Sequence, residues 1–311
     1  MEDKYIVVFG GCSLDVTIQE NPTGSYTGSV PILAPGGKGS NQAVAASRAG
    51  AKVVMITLLG KGEEKNEYGL TESQISSSII RNLNDNGVDT SFVELKENLG
   101  NDVSIIHVSK EGDNEIYRQG HAINEFYCGM IDKNAELIRN ASFVISQLKA
   151  PIEVIRHLAY FCYDNNIPLI LTPCRPDKLK SNLDLIGMST FITANEKECK
   201  TIFETDDIEE CVRRCRGKLI VTLGEKGLMY YEDGRVKTIP AFAISNVIDT
   251  TGAGDTLNGN FVACLLQGMT VEEALVRGSA ASAIKIQSKT AQNGMPTKEK
   301  RDEFLSKLIK K

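Results

Sequence analysis

The sequence lacks several features that would place it in a specialised class of protein. It has no tryptophan and only three histidines among its 311 residues. No stretch approaches the roughly 20 consecutive apolar residues of a membrane-spanning helix, and residues 1–4 do not begin an apolar signal core. We therefore expect a cytoplasmic protein that has no membrane partner.

The eight cysteines form no recognisable metal or redox motif. No CxxC pair occurs, and no histidine or second cysteine pair completes a zinc site with Cys211 and Cys215, which stand four residues apart. The formal net charge of −5 gives no general attraction for nucleic acid or for an anionic membrane. We therefore predict structural thiols and no nucleic-acid partner.

Apolar runs that are typical of buried strands alternate with helical patterns along most of the chain. The predicted strands are Tyr5–Phe9, Lys52–Leu59, Phe143–Ser146, Leu169–Thr172, Phe191–Thr193 and Leu219–Leu223. Because strands that alternate with helices indicate βαβ units, we expect an α/β fold with a mostly parallel central sheet flanked by helices. We expect residues 1–311 to form a single domain.

Two segments interrupt this alternation and resemble β-hairpins. The first covers about residues 15–34, and the second covers about residues 92–119 with a turn at Lys110–Asn114. Neither is long enough to form an independent domain. We expect the two to form a small β-sheet lid over one edge of the main body. A free edge of that lid could pair with a second copy and give a homodimer.

The segment Asp249–Asp255 carries the strongest chemical signal. Its small residues Gly252, Ala253 and Gly254 let the backbone approach a ligand closely, and the N–H groups at a helix start have no partner within the helix. Such a helix start can hold a phosphoryl group, and Asp255 could accept a proton from an alcohol there. Taken alone, the segment also fits a glycine-rich turn with an aspartate cap.

A second glycine-rich segment, Pro35–Asn41, joins a predicted strand to a helix. Its three glycines free the backbone to pack against a ligand, and the Asn41 side chain can both donate and accept hydrogen bonds to a polyol. The segment is not a Walker A loop, because its spacing differs and no serine or threonine directly follows Lys38. Taken alone, it fits any joint between a strand and a helix.

Six segments, in this order, resemble the ribokinase-like (pfkB) family of sugar and nucleoside kinases. They are Gly10–Asp15, Gly36–Ala43, Asn195–Glu198, Thr222–Gly227, Asp249–Asp255 and Lys289–Gln292. The resemblance covers essentially the whole chain. It implies ATP-dependent transfer of the γ-phosphoryl group to a primary hydroxyl of a pentose-like sugar, with Mg²⁺ and K⁺ as cofactors. Ribose is the leading candidate, and another sugar, a phosphorylated or acidic sugar, or a nucleoside is the alternative.

The resemblance also implies a role for individual residues. Asp255 would be the general base, and Gly252, Ala253 and Gly254 would form the anion hole. The implied substrate contacts are Ser13, Asp15, Gly37, Lys38, Asn41, Lys149 and Asp255. The implied ATP contacts are Asn195, Glu198, Thr222, Gly224, Gly227, Gly254 and Ser279, of which Asn195 and Glu198 would position Mg²⁺.

A monovalent cation, usually K⁺ in this family, would lie beside the anion hole. Its implied ligands are Asp249, Thr251, Lys285, Ser288, Thr290 and Gly294, mostly through backbone oxygens. Because carbonyl ligands place little constraint on side-chain identity, an ordinary helix end followed by a loop is the alternative interpretation. For Glu198 the alternative is a helix residue that faces solvent.

The sequence departs from the family pattern at positions expected to contact the sugar. Ser13 stands where the family commonly has asparagine, Lys149 stands where it has glutamate, and the segment Gly60–Gly69 is enlarged. Lys149 either faces a negatively charged substrate or extends outward while a neutral sugar binds elsewhere. We favour the second interpretation, because only one of several polar contacts has reversed its charge.

Two other function classes compete with a kinase. The departures at Ser13 and Lys149 would also suit a protein that binds sugar or nucleotide for regulation without catalysis, although a pure binder needs no base at Asp255. A dinucleotide-dependent oxidoreductase would share the parallel sheet. However, the first strand is followed by Gly-Gly-Cys-Ser-Leu-Asp rather than by the G-x-G-x-x-G that binds a dinucleotide.

Overall fold

The computed structural model describes residues 4–65, 69–109 and 114–309. Its strands are β1 (Ile6–Phe9), β2 (Ser13–Gln19), β3 (Ile32–Gly36), β4 (Val53–Lys61), β5 (Val88–Glu97), β6 (Val103–Val108), β7 (Asn114–Gln119), β8 (Phe143–Gln147), β9 (Leu169–Thr172), β10 (Phe191–Asn195), β11 (Leu219–Thr222), β12 (Leu228–Glu232) and β13 (Arg235–Ile239). Its helices are α1 (Lys38–Arg48), α2 (Glu72–Asp85), α3 (Gly129–Asp132), α4 (Ala135–Arg139), α5 (Ile152–Asp164), α6 (Pro176–Lys180), α7 (Asp184–Met188), α8 (Glu196–Phe203), α9 (Ile208–Arg214), α10 (Ala253–Leu266), α11 (Val271–Lys285) and α12 (Lys298–Ile309). None of the helices in these ranges is long and apolar enough to cross a membrane.

The main body is a nine-stranded sheet in the order β13-β12-β11-β10-β9-β8-β1-β4-β5. The strands from β5 to β11 pair in parallel, and only β12 and β13 join antiparallel. Alternate residues of β1 enter two separate cores, with Val7 and Phe9 in one and Ile6 and Val8 in the other. Because successive side chains of a strand point to opposite faces, helices must cover both faces of the sheet. The predicted α/β class is confirmed.

A second sheet has four strands, in the order β3-β2-β6-β7. Strands β2 and β3 pair antiparallel, as do β6 and β7, so each predicted hairpin is present, and β2 joins β6 in parallel. We call this sheet the lid. The turn predicted at 110–114 lies outside the described residues except for Asn114, and residues 66–68 of the enlarged segment also lie outside them.

The predicted start of the second lid segment is wrong. Strand β5, which includes Phe92, pairs in parallel with β4 at the edge of the main sheet, so the lid resumes only at Val103. The reason is that an edge strand exposes one side whichever sheet it joins, and its sequence pattern does not identify its partner. Residues 92–102 therefore belong to the main body and to the connection that follows it.

Helices α1 and α10 pack closely side by side. A Cβ at Gly259 of α10 would lie 2.5 Å from Ala45 Cβ and 2.6 Å from the Gln42 carbonyl oxygen of α1. The start of α1 is held by the Gly39 N–H, which donates to the Gly11 carbonyl oxygen at 3.0 Å. This close packing brings the first turn of α1 against the first turn of α10, where Asp255 lies.

Candidate active site

Asp255 lies in the first turn of α10 and is only 4% exposed. The helix follows Gly252, whose φ of 80° is in the left-handed region and whose Cβ, if present, would lie 2.8 Å from the Ala291 carbonyl oxygen. Only glycine meets both conditions without strain. Beside it, a Cβ at Gly254 would meet nothing within 4 Å. The start of α10 is therefore open on the side of Gly254, as an anion site requires, while the Ala253 N–H donates to the Thr250 carbonyl oxygen at 3.1 Å.

Two neutral amides hold the Asp255 carboxylate. Asn41 Nδ2 donates to Oδ2 at 3.0 Å, and Gln42 Nε2 donates to Oδ1 at 2.9 Å. Each carboxylate oxygen thus accepts one bond and keeps a further lone pair for a substrate hydroxyl. The arrangement orients a general base without placing a cation directly on it.

A second layer of amides fixes the two that contact Asp255. Gln292 Nε2 donates to Asn41 Oδ1 at 2.9 Å, and Gln147 Nε2 donates to Gln42 Oε1 at 2.9 Å. The roles of Gln42, Gln147 and Gln292 were not predicted from the sequence, although Gln42 and Gln292 lie in segments that resemble the family and Gln147 stands two residues before Lys149. A glutamine at such a position indicates a possible hydrogen-bond donor, but the local sequence does not show which amide points to Asp255.

One cavity of about 250 Å³ lies between the lid and the start of α10. The predicted substrate contacts all line it, namely Ser13, Asp15, Gly37, Lys38, Asn41, Lys149 and Asp255. Ser104 and Ile106 of β6 complete the lid side. We call it the sugar cavity, and its contacts with a substrate stay a prediction.

The Asp15 carboxylate is held in this cavity by its neighbours. Ser13 Oγ donates to Asp15 Oδ1 at 2.8 Å, and a Cβ at Gly36 would lie 2.0 Å from Oδ2. Glycine at position 36 is therefore required for the carboxylate to take this place. Serine at position 13 does not leave the site without a polar group, because its hydroxyl orients Asp15.

The favoured interpretation of Lys149, in which it extends outward while a neutral sugar binds elsewhere, stays a prediction. Lys149 lines the sugar cavity, and its charge acts on the buried Asp102, lowering the pKa of that carboxyl against the larger raising effect of burial. Lys149 directly follows the turn at the end of β8, and its backbone N–H donates to the Gln147 carbonyl oxygen at 2.7 Å. This tight turn places the half-buried Lys149 at the edge of the cavity.

A second cavity, of about 230 Å³, lies on the other side of Asp255 and we call it the phosphoryl cavity. Its lining shares Lys38, Thr250, Gly252 and Asp255 with the sugar cavity, and it includes Ala253 and Gly254 of the predicted anion hole. Asp255 and the helix start therefore form a common wall between the two cavities. A group held in one could react with a group held in the other across this wall.

Asn195, Glu198 and Thr222 line the phosphoryl cavity at the ends of β10 and β11. Asn195 and Glu198 also form a capping box for α8: Asn195 Oδ1 accepts from the Glu198 N–H at 2.8 Å, and Glu198 Oε2 accepts from the Asn195 N–H at 2.9 Å. Burial raises the pKa of the Glu198 carboxyl. The box uses only one oxygen of that carboxylate, so this oxygen-rich donor set fits Mg²⁺.

Comparison with known proteins agrees with this geometry. Residues 3–298 match the family described as pfkB family carbohydrate kinase. The chain belongs to the pfkB family of carbohydrate kinases. Among curated proteins, the ribokinase of Bacillus subtilis strain 168 is 34% identical over 307 residues, which cover 97% of this chain and 100% of that protein.

Two further comparisons bear on substrate and fold. The deoxyribokinase of Salmonella typhi is 29% identical to this pfkB kinase, and the match covers 97% of this chain and 98% of that protein. The solved structure of Arabidopsis thaliana ribokinase complexed with ribose and ATP has a TM-score of 0.82 at 22% identity, and the match covers 97% of this chain and 98% of that one. That likeness shows a shared fold.

Three of the predicted ATP contacts, Gly224, Gly227 and Ser279, lie outside the linings of both cavities of this pfkB kinase. Gly227 has a structural explanation, because its φ is 97° and a Cβ would lie 2.0 Å from the Ile239 carbonyl oxygen of β13. Ser279 is 9% exposed on α11. Their contact with a nucleotide stays a prediction.

The predicted K⁺ ligands lie together beside the anion hole, but Lys285 differs from its predicted role. Its backbone oxygen, the predicted ligand, accepts from the Ser288 N–H at 3.0 Å. Its side chain, which is 0% exposed, donates from Nζ to the Asp249 carbonyl oxygen at 2.8 Å. Burial lowers the pKa of the Lys285 ammonium to about 8, against the raising effect of Asp249 and Asp255. A protein cation therefore stands where a bound cation was predicted.

Proposed function

We propose that this pfkB kinase transfers the γ-phosphoryl group of ATP to a primary hydroxyl of ribose or a closely similar pentose. The observation that carries the proposal is the position of Asp255 on the wall shared by the sugar and phosphoryl cavities. The ribokinase and deoxyribokinase relatives, which match along nearly the whole chain, support it.

The chain's own residues supply most of what in-line phosphoryl transfer requires. Asp255, oriented by Asn41 and Gln42, accepts the proton of the attacking hydroxyl. The amides at the start of α10 stabilise the charge on the transferred group. Lys38 lines both cavities, so its cation can follow the phosphoryl group from donor to acceptor. Mg²⁺ positioned near Glu198 would neutralise charge on the phosphates.

The lid supplies the remaining requirement, which is the exclusion of water. Ser13 and Asp15 of β2 and Ser104 and Ile106 of β6 line the sugar cavity from the lid side. A lid over the acceptor protects ATP from hydrolysis, because water competes with the sugar hydroxyl for the same phosphoryl group.

A coupled assay of ADP release over a panel of acceptors tests the proposal. The panel contains ribose, deoxyribose, fructose, their phosphates and a nucleoside. We expect the largest kcat/KM with a neutral pentose. A preference for a phosphorylated or acidic sugar would indicate that Lys149 binds the negative charge of the acceptor. If no acceptor leads to ADP release, the result would favour a protein that binds sugar or nucleotide without catalysis.

We also propose that the lid joins two copies of the chain. It exposes Val30 (85%), Leu33 (52%) and Tyr117 (52%), and β3 is an edge strand of the lid. The ring of His107 on this sheet contacts two tyrosines: Tyr26 in a tilted arrangement with a centroid separation of 4.8 Å, and Tyr117 edge-to-face at 5.6 Å. Sedimentation should give a dimer for the native chain and a monomer for Leu33→Lys. A monomeric native chain contradicts this part of the proposal.

A further inference from the structure

Lys285 is a buried cation beside the segment that leads into the anion hole. It is the last residue of α11, and its Nζ donates to the Asp249 carbonyl oxygen at 2.8 Å from a fully buried position. A buried ammonium is costly unless it is paired and hydrogen-bonded. Burial lowers the pKa of the Lys285 ammonium to about 8, and the neighbouring carboxylates of Asp249 and Asp255 act against that effect. Such an arrangement needs a reason beyond packing, because an apolar side chain would fill the same space at a lower desolvation cost.

The end of α11 is tied to the anion-hole segment at several points. The Ile286 carbonyl oxygen accepts from the N–H groups of Ile248 and Asp249 at 2.8 and 3.1 Å. Ser282 Oγ donates to the Ala253 carbonyl oxygen at 2.9 Å. Lys285 adds a charged bond between these two attachments, and the backbone that leads into the anion hole is therefore held from one side by α11.

A series of hydrogen bonds leads from Lys285 toward the phosphoryl cavity. The ammonium holds the Asp249 carbonyl, and Asp249 Oδ1 accepts from the Thr251 N–H at 2.8 Å. Thr251 directly precedes Gly252, the glycine that opens α10. A positive charge at this place both fixes the segment and contributes favourable potential to a phosphoryl group held nearby.

We propose that the Lys285 ammonium takes the place of the monovalent cation, so that phosphoryl transfer by this chain does not depend on K⁺. The inference rests on the proposed kinase function. Two of the residues predicted to bind K⁺ already use their backbone oxygen as a hydrogen-bond acceptor, since the Asp249 carbonyl accepts from Lys285 and the Lys285 carbonyl accepts from Ser288.

One feature of the loop after α11 favours an ion instead. Thr290 has a φ of 62°, in the left-handed region, and its Oγ1 is buried with no hydrogen-bond partner among the described residues. A buried oxygen without a hydrogen-bond partner can coordinate a cation. The experiment must therefore distinguish a lysine that replaces K⁺ from a lysine that lies beside it.

The test compares the native chain with Lys285→Ser, which leaves space for an ion, and Lys285→Met, which fills the space without charge. Each is assayed for ADP release in tetramethylammonium chloride and in KCl at equal ionic strength. We expect the native kcat/KM to change less than about twofold between the salts. Without K⁺, the kcat/KM of both variants should fall at least about tenfold. The reason is that removing a single group that stabilises the developing charge lowers kcat by up to about 10²–10³. K⁺ or NH₄⁺ should restore the kcat/KM of Lys285→Ser but not that of Lys285→Met.

Thermal unfolding gives a second measure that needs no turnover. K⁺ should raise the Tm of Lys285→Ser relative to tetramethylammonium and should leave the Tm of the native chain unchanged. The exposed Lys300→Ser is the control for loss of a lysine charge, and K⁺ should affect neither its activity nor its Tm.

Two results would overturn the proposal. One is a native chain that K⁺ activates or stabilises strongly, which remains decisive even if neither variant folds. The other is a folded Lys285→Ser variant that stays fully active in tetramethylammonium. If the native chain releases no ADP with any acceptor in either salt, the kinase function fails instead, and the Tm comparison still decides the role of Lys285.

Discussion

The two sides of the active site are built from different kinds of structure. On the phosphoryl side, the start of α10 offers backbone amides, and its position depends on glycines and on amide contacts between distant parts of the chain, such as Asn41 with Asp255. On the sugar side, β2 and β6 of the lid offer side chains such as Asp15 and Ser104. Side chains can change without altering a strand, whereas a backbone anion site changes only with its fold.

This difference explains where the sequence departs from its family. Ser13 and Lys149, the two predicted sugar contacts that differ from the family pattern, both line the sugar cavity. The segment Asp249–Asp255 keeps the family pattern. The phosphoryl side performs the same reaction for every acceptor, while the sugar side must match a particular acceptor. The following predictions test that contrast, beginning with the largest expected effect.

Replacing Asp255 should affect the reaction most. We expect Asp255→Asn to lower kcat by about 10²–10⁴, the usual cost of removing a general base, while equilibrium binding of ATP is retained. The control is Asp85→Asn at an exposed carboxylate of α2, which should be unchanged. Near-normal turnover by Asp255→Asn would show that Asp255 is not the general base.

The backbone of the anion hole should tolerate no side chain at Gly252. We expect Gly252→Ala to lose most activity and to lower the free energy of unfolding by at least about 1–2 kcal/mol, the cost of a left-handed residue with a Cβ. Gly234→Ala is a matched control, since Gly234 also has a φ of 80° but a Cβ there would meet nothing within 4 Å. Equal losses in kcat and in unfolding free energy for both variants would show that only backbone strain matters.

The amides that hold Asp255 should act through its orientation. We expect Gln42→Met to lower kcat about tenfold with little change in the KM of the sugar, because a hydrogen bond to a charged group contributes about 1.5–3 kcal/mol. Gln267→Met is the control, since Gln267 Nε2 donates to the Ala49 carbonyl oxygen, away from Asp255. A rise in KM alone would make Gln42 a substrate contact instead.

The smallest effect should come from the sugar side. We expect Lys149→Glu to raise kcat/KM for ribose by no more than about tenfold, since one hydrogen bond between a carboxylate and a hydroxyl is worth about 1.5 kcal/mol at the lower end. Lys149→Met separates the loss of the cation from the gain of an acceptor. If Lys149→Glu leaves ribose turnover untouched, Lys149 does not contact the sugar.

Much of the fold followed from local pattern. Buried apolar runs and helical periodicity placed the central strands within a few residues, because burial on both faces and the 3.6-residue repeat are properties of short segments. Strand β5 was the exception. Its residues indicate an edge strand, but pairing with β4 rather than with the lid depends on hydrogen bonds between segments separated along the chain.

The site was predicted unevenly for the same reason. Resemblance located many of the residues that line the two cavities, but it did not show that Gln292 holds Asn41 or that Gln42 holds Asp255. Asn41 and Asp255 are 214 residues apart. Contacts between residues so far apart in the sequence depend on how α1 packs against α10, and no local pattern carries that information.

The sequence by itself therefore determined the class of fold, the glycine at the start of α10 and the carboxylate that follows it. These depend on backbone conformation and on residue type, which short segments specify. Only the tertiary structure decided that Lys149 lines the sugar cavity and that the ammonium of Lys285 lies on the Asp249 carbonyl. The direction of a long cationic side chain depends on which acceptors and which low-dielectric surroundings the folded chain places around it.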